Sequence, residues 1–206
     1  MTSRRLVTAD GAHLAADLAL PPGRPHRGGV AVCHPHPLYG GNRSHPMVVE
    51  LCDALVLERF ATLRFDFRST HDHGVAERLD LRAALDDLEH LDAPAELAPL
   101  AVAGYSFGAV VALTTDDPRI AAVVSVAGPL SSDIRPPTVP TLLVVPRHDQ
   151  YAPPDRIEPV VAAWRAAGTS VDMVEMVVVE SCDHFLVGST ARIAGLATEW
   201  LTAHIP

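Results

Sequence analysis

The chain has 206 residues, of which 48% are apolar and 20% are charged, so we expect a single folded domain over residues 1–206. Its formal net charge of −9 argues against a nucleic acid or an anionic membrane as the main partner. All 16 basic side chains are arginine, which excludes mechanisms that need a lysine amine, such as a Schiff base or a phosphate-loop lysine.

The pattern of apolar residues predicts an α/β fold. Asp10 and Gly11 form a turn signal between the extended runs 6–9 and 13–20, which predicts an N-terminal antiparallel hairpin. Further strands are predicted over 29–33, 61–67, 101–104, 121–127, 141–145 and 171–179. Helices are predicted over 46–59, 75–91, 107–113, 156–167 and 190–204. This alternation favours a mostly parallel central sheet with helices on both faces.

Sheets of this kind bind ligands beyond the carboxyl ends of their strands. Four segments that follow predicted strands carry chemically useful residues. They are residues 34–41, 104–108, 147–149 and 182–184.

Residues 104–108 read Gly-Tyr-Ser-Phe-Gly and lie between a predicted strand and a predicted helix. In that context the pattern predicts a strained turn that exposes the hydroxyl of Ser106 at a helix N-terminus, as a catalytic nucleophile requires. The structural alternative is an ordinary strand-to-helix turn with a serine cap.

Four motifs in chain order resemble the α/β-hydrolase superfamily of serine hydrolases, and more narrowly its small capless branch of dienelactone-hydrolase-like proteins with a His-Pro-His-Pro loop. The motifs occupy residues 34–41, 64–68, 104–108 and 183–185. The resemblance implies the α/β-hydrolase fold over nearly the whole chain. Only residues 128–140 separate two predicted strands where many relatives insert a helical cap, so we expect no cap domain.

The resemblance also implies a catalytic base and its carboxylate partner. His184 lies after the last predicted strand, where the family has its histidine, and Asp149 lies between Ser106 and His184 in the expected chain order. The family's Gly-Asp pair before this acid is lost, which leaves Asp149 as the orienting carboxylate. If Asp149 is instead a turn or cap residue, Asp133 and Asp155 are the alternatives. We expect Asp183 to be a turn residue and Cys182 to be a packing residue.

An oxyanion hole needs two N–H donors. The residue after the nucleophile, Phe107, is expected to supply one. The loop after the first parallel strand is expected to supply the other, and Pro35 and Pro37 in it have no N–H. His36 and Leu38 are therefore the first available donors, and alignment with the family pattern favours His36.

Aromatic and histidine side chains near this edge suggest substrate contacts. We predict that Tyr39, Phe185 and His71 bind substrate, while core packing is the favoured role for Tyr105 and Phe107. Residues 69–74 form either a polar rim or an ordinary solvated loop. The His34–His36 and His71–His73 pairs could ligate a divalent metal, but the metallo-hydrolase pattern is absent and we predict no metal.

The expected activity is a serine hydrolase that cleaves a small or exposed carboxylic ester through an acyl-enzyme, without a cofactor. A thioesterase, an acyltransferase and a peptidase would use the same residues, and a catalytically silent binding protein is the non-enzyme alternative. The expected partner is a small-molecule ester. Three cysteines without a zinc or disulfide spacing, and no apolar stretch in the first ten residues, favour the cytoplasm.

Overall fold

The computed structural model describes residues 1–23, 26–92 and 99–205. These residues form an eight-stranded sheet with the strand order β1-β2-β4-β3-β5-β6-β7-β8. Its strands are β1 (Thr2–Val7), β2 (His13–Ala19), β3 (Gly28–Cys33), β4 (Phe60–Phe65), β5 (Leu100–Tyr105), β6 (Ile120–Val126), β7 (Thr141–Pro146) and β8 (Val174–Val179). The hairpin β1–β2 joins β4 in antiparallel fashion, and every other pairing is parallel.

Helices cover both faces of the sheet, because successive side chains of its buried strands point to opposite sides. The helices are α1 (Pro46–Leu57), α2 (Glu77–Glu89), α3 (Phe107–Thr114), α4 (Pro154–Ala166) and α5 (Thr190–His204). Along β3, Val30 and Val32 pack in the core cluster of α1 and α5, whereas Ala31 packs in the cluster of α2 and α3. Helix α4 packs on β7 through Trp164.

The predicted fold class is confirmed, with small shifts at the ends of elements. The strand predicted over 171–179 begins at Val174, because residues Val171–Met173 form a 3₁₀ turn in which the N–H of Asp172 donates to the side chain of Ser170. The helix predicted over 75–91 begins at Glu77. Residues 128–140 contain no helix or strand, so the expected absence of a cap is confirmed.

Within the described ranges, no helix combines the length and the apolar character that a membrane span requires.

Candidate active site

Ser106 lies in a strained turn between β5 and α3. Its backbone has φ +55° and ψ −116°, a region that non-glycine residues rarely adopt. Its N–H donates to the carbonyl of Val126 on the neighbouring strand over 2.9 Å, which ties the strained residue to the sheet. The serine therefore projects beyond the carboxyl end of β5, at the start of a helix.

The two glycines of the turn are needed because backbone atoms approach them closely. A Cβ atom on Gly104 would lie 2.2 Å from the carbonyl oxygen of Gly108. A Cβ atom on Gly108 would lie 2.5 Å from the carbonyl oxygen of Cys33, at the end of β3. The sequence pattern thus encodes two close backbone contacts that hold the nucleophile turn against its neighbours.

The structure brings Ser106, His184 and Asp149 together, although they are far apart in sequence. Ser106 Oγ lies 3.0 Å from His184 Nε2, and His184 Nδ1 lies 2.8 Å from Asp149 Oδ2. Because the carboxylate can only accept, it fixes the histidine proton on Nδ1 and leaves Nε2 to accept a proton from the serine. This is the arrangement that activates a serine hydroxyl.

Main-chain N–H groups hold the carboxylate of Asp149. Its Oδ1 accepts from the N–H of Tyr151 over 2.7 Å and from the N–H of Ala152 over 2.8 Å. Burial alone would raise the pKa of Asp149, but the hydrogen bonds from His184 and these two N–H groups hold it below its ordinary value. Asp133 and Asp155, the alternative acids, are exposed.

The loop that carries His184 is attached to the core next to Ser106. The buried hydroxyl of Tyr105 donates to the carbonyl oxygen of His184 over 2.7 Å. Asp183 accepts the N–H of Phe185 in a turn, and Cys182 is buried in the core, as the sequence predicted for both. Tyr105 is therefore a core residue that positions this loop.

The two expected oxyanion donors are the main-chain N–H groups of His36 and Phe107. Within the described residues, neither His36 nor Phe107 donates a main-chain hydrogen bond, whereas the N–H of Leu38 donates to His36 Nδ1 over 3.2 Å. That contact removes Leu38 as the alternative donor. The carbonyl of His36 accepts the N–H of Gly41 over 3.1 Å, which closes the loop on itself.

His34 has a structural role at the end of β3. Its Nδ1 donates to the carbonyl of Pro35 over 2.6 Å, and its Nε2 accepts the N–H of Phe67 over 3.0 Å. Burial lowers the pKa of this histidine. Since both ring nitrogens have partners, His34 is not available as a metal ligand.

His36 and His71 meet beside the nucleophile turn, with 3.1 Å between their Nε2 atoms. His71 Nδ1 lies 2.8 Å from Oε1 of Glu77, a residue with no exposed surface. Glu77 was not predicted as a site residue, because an acidic residue at a helix N-terminus is expected to face solvent. Across residues 1–23, 26–92 and 99–205, no group of three or more histidine, cysteine or acidic side chains is arranged to hold a metal ion.

Exposed aromatic side chains surround His184 and the loop that carries His36. Tyr39 is 89% exposed and Phe185 is 60% exposed, and their rings lie beside those of His36 and His184. Tyr151, which sequence analysis did not select, is 56% exposed and its ring centroid lies 4.7 Å from that of His184. Its position two residues after Asp149 is the signal that could have identified it.

Solved structures with the same fold cover nearly the whole chain. A Coxiella burnetii protein described as an α/β serine hydrolase homologue is 28% identical, with a TM-score of 0.85 over 97% of each chain. A Xanthomonas campestris protein described as an α/β serine hydrolase without a lid is 24% identical, with a TM-score of 0.83 over 100% of this chain and 95% of that one. A Pyrococcus furiosus esterase is 17% identical, with a TM-score of 0.82 over 100% and 93%.

This protein has the α/β-hydrolase fold without a cap. The resemblance seen in the four motifs is thereby confirmed at the level of the superfamily. No family model matches the chain. An uncharacterised protein of Rickettsia prowazekii is 26% identical over 185 residues, which cover 82% of this chain and 76% of that protein. The α/β-hydrolase fold explains why Ser106, Asp149 and His184 follow β5, β7 and β8, whose carboxyl ends share one edge of the sheet.

Proposed function

We propose that the protein is a serine hydrolase that cleaves small or exposed carboxylic esters through an acyl-enzyme intermediate. The observation that carries this proposal is the continuous contact from Ser106 Oγ through His184 to the buried carboxylate of Asp149. Solved structures described as serine hydrolases and esterases support hydrolase activity at the coarser level.

In the first half of the proposed reaction, Ser106 Oγ attacks the ester carbonyl carbon and its proton moves to His184 Nε2. The carbonyl π electrons move onto oxygen, where the N–H groups of His36 and Phe107 stabilise the negative charge. When the carbonyl reforms, the bond to the alcohol oxygen breaks, and that oxygen takes the proton from His184. The products are a free alcohol and an acyl group on Ser106.

In the second half, water replaces the alcohol. His184 takes one proton from water as the oxygen attacks the acyl carbon, and it returns that proton to Ser106 Oγ when the acyl–serine bond breaks. Asp149 keeps its charge throughout and stabilises the imidazolium form of His184. The sum is an ester and water giving an acid and an alcohol, so the cycle needs no redox partner.

The open architecture favours water as the acceptor. Residues 128–140 run between β6 and β7 without a helix, so no cap closes over Ser106. A site without a closed acyl pocket excludes water poorly, which favours hydrolysis over acyl transfer. We also propose that the exposed rings of Tyr39 and Phe185 contact the apolar part of the substrate.

The test is a series of p-nitrophenyl esters of increasing acyl length, assayed with wild type and Ser106→Ala. We expect turnover by wild type and a loss of at least about 10³-fold in the variant. Ser131→Ala, at an exposed loop position, is the matched control and should retain wild-type rates. Equal hydrolysis by wild type and Ser106→Ala would overturn the proposal.

Parallel assays with matched thioesters and amides separate the alternative activities. The proposal expects the oxygen ester to have the highest kcat/KM of the three. A preferred thioester or amide would overturn the ester assignment and leave Ser106 as the nucleophile. Absence of turnover with every substrate, together with no reaction of Ser106 with a fluorophosphonate, would favour a binding protein.

A further inference from the structure

Three side chains form a line of hydrogen bonds next to the nucleophile turn. The N–H of Leu38 donates to His36 Nδ1 over 3.2 Å. His36 Nε2 lies 3.1 Å from His71 Nε2, and His71 Nδ1 lies 2.8 Å from Glu77 Oε1. The line begins in the loop after β3 and ends on the first residue of α2.

The chemistry of the two ends fixes the protons in between. An N–H group can donate only to an unprotonated nitrogen, so neutral His36 carries its proton on Nε2. At the other end, a carboxylate accepts, so His71 carries its proton on Nδ1. The two facing Nε2 atoms then share a single proton, which His36 donates to His71. The resulting chain has a consistent donor and acceptor at every contact.

The ring of His71 touches both residues whose N–H groups are assigned to the oxyanion hole. Its centroid lies 4.3 Å from that of His36 and 5.2 Å from that of Phe107. The rings of His36 and Phe107 are themselves 4.9 Å apart. A displacement of His71 would therefore be transmitted to both sides of the site.

The carboxylate of Glu77 binds His71 at Nδ1. This carboxylate has no exposed surface and also accepts the N–H groups of Asp72 over 3.0 Å and Gly74 over 2.9 Å. Burial alone would raise its pKa, but these donors and His71 hold the pKa of Glu77 below its ordinary value. A buried carboxylate with three N–H donors fixes the loop 71–74 and the orientation of the imidazole.

We propose that Glu77 and His71 are positioning residues that hold the His36 loop and Phe107 in the geometry of the oxyanion hole. The inference rests on the proposed hydrolase function. It gives His71 a role through His36 and Phe107 in place of the predicted substrate contact, because both of its ring nitrogens already have protein partners.

Because His36 and His71 share a single proton, the contact between them is sensitive to acid. A second proton would place two N–H donors opposite each other over 3.1 Å, which pushes the rings apart. The charged and titratable groups that interact with His36 are His34, His71, His73 and Glu77, and the rings of Tyr39 and Phe107 also lie beside it. Burial and the charges of His71 and His73 lower the pKa of His36, while Glu77 opposes that shift.

The test compares His71→Phe and Glu77→Gln with the control Asp80→Asn. Phenylalanine keeps the ring contacts and removes the hydrogen bonds. Asp80 is also a fully buried carboxylate in the first turn of α2, but it binds the main-chain N–H and the guanidinium of Arg68 instead of His71. The control therefore removes a negative charge from an equally buried position in the same turn of α2 and leaves the His71 contact intact.

We expect His71→Phe and Glu77→Gln to lower kcat on a p-nitrophenyl ester by about tenfold to a hundredfold, with KM changed by less than about threefold. Affinity for a trifluoromethyl ketone that mimics the oxyanion should fall by a similar factor. In the pH profile of kcat, the fall at acid pH should be steeper in wild type than in His71→Phe. Only wild type has the His36–His71 contact, which a second proton would break. Asp80→Asn should lower the melting temperature and leave kcat within about twofold of wild type.

An imidazole ¹⁵N–¹H spectrum tests the same arrangement without turnover, and should show the proton of His36 on Nε2 and that of His71 on Nδ1. Other tautomers, or wild-type kcat and inhibitor affinity in His71→Phe, would overturn this role while the hydrolase proposal stands. An equal kcat loss in Asp80→Asn and Glu77→Gln would also overturn it, because the loss would then reflect general destabilisation. A wild-type protein without esterase activity or fluorophosphonate labelling would overturn the hydrolase proposal and this role together.

Discussion

Asp149→Asn should greatly slow ester hydrolysis, because it moves the proton of His184 from Nδ1 to Nε2. The asparagine has one carbonyl oxygen, and two places compete for it. Oδ1 of Asp149 accepts two main-chain N–H groups over 2.7 and 2.8 Å, whereas Oδ2 accepts one proton from His184 Nδ1. The carbonyl should keep the two main-chain donors, so the amide NH₂ would face His184.

The magnitude follows from those contacts. Turning the amide over would leave the buried N–H of Ala152 and the partly buried N–H of Tyr151 facing an NH₂ group, at a cost of about 1–3 kcal/mol each. The orientation that supports catalysis would then be populated to about 3% or less, since about 2 kcal/mol corresponds to a factor of about 30. In the favoured orientation His184 Nδ1 must accept, its proton moves to Nε2, and it has no site for the proton of Ser106.

We therefore expect kcat to fall by at least about thirtyfold and by up to about 10⁴-fold, with KM little changed. The assay is hydrolysis of a short p-nitrophenyl ester, with circular dichroism to confirm folding. Asp133→Asn and Asp155→Asn test the other two acids suggested by the sequence, and both should retain wild-type kcat. A folded Asp149→Asn variant with less than a tenfold loss would refute the reasoning.

Thermal unfolding of four further variants tests the backbone and packing contacts, with Ser106→Ala as the reference for one of them. Gly108→Ala should lower the free energy of unfolding by about 1–3 kcal/mol, because its Cβ atom would lie 2.5 Å from a carbonyl oxygen of β3. Gly195→Ala is the control: nothing lies within 4 Å of the new Cβ atom, so the substitution should stabilise α5 by about 0.5–1 kcal/mol. Tyr105→Phe should cost about 1 kcal/mol, because the carbonyl of His184 loses its buried donor. The free energy of unfolding of Ser106→Gly should exceed that of Ser106→Ala by roughly 1 kcal/mol, because glycine adopts φ +55° without strain. Equal stabilities of the two variants would contradict this explanation.

Most of the fold could be predicted from local sequence signals. The turn at Asp10-Gly11 marks the hairpin, and the predicted helix over 190–204 matches α5 (Thr190–His204) at both ends. The order of strands in the sheet depends on pairing between distant segments, which periodicity along the chain does not record. The boundaries that moved, such as the start of β8, depend on a capping contact made by a single side chain, Ser170.

The groups brought together at the site were predictable because they lie in motifs or directly after strands. Ser106, His184 and Asp149 all follow strands that end at the same edge of the sheet. The contact between His71 and Glu77 was not predictable, because nothing local distinguishes a buried glutamate at a helix start from an exposed one. Its burial results from the loop 71–74 folding back over the start of α2, a loop conformation that the pattern of apolar residues does not record.

The proposed function depends on a nucleophilic hydroxyl at Ser106. The most direct measurement is reaction of the folded protein with a fluorophosphonate, followed by peptide mass spectrometry. The account predicts one adduct per chain, located on Ser106, absent in Ser106→Ala and formed much more slowly in Asp149→Asn. A folded wild-type protein that forms no adduct, or an adduct that persists in Ser106→Ala, would contradict it.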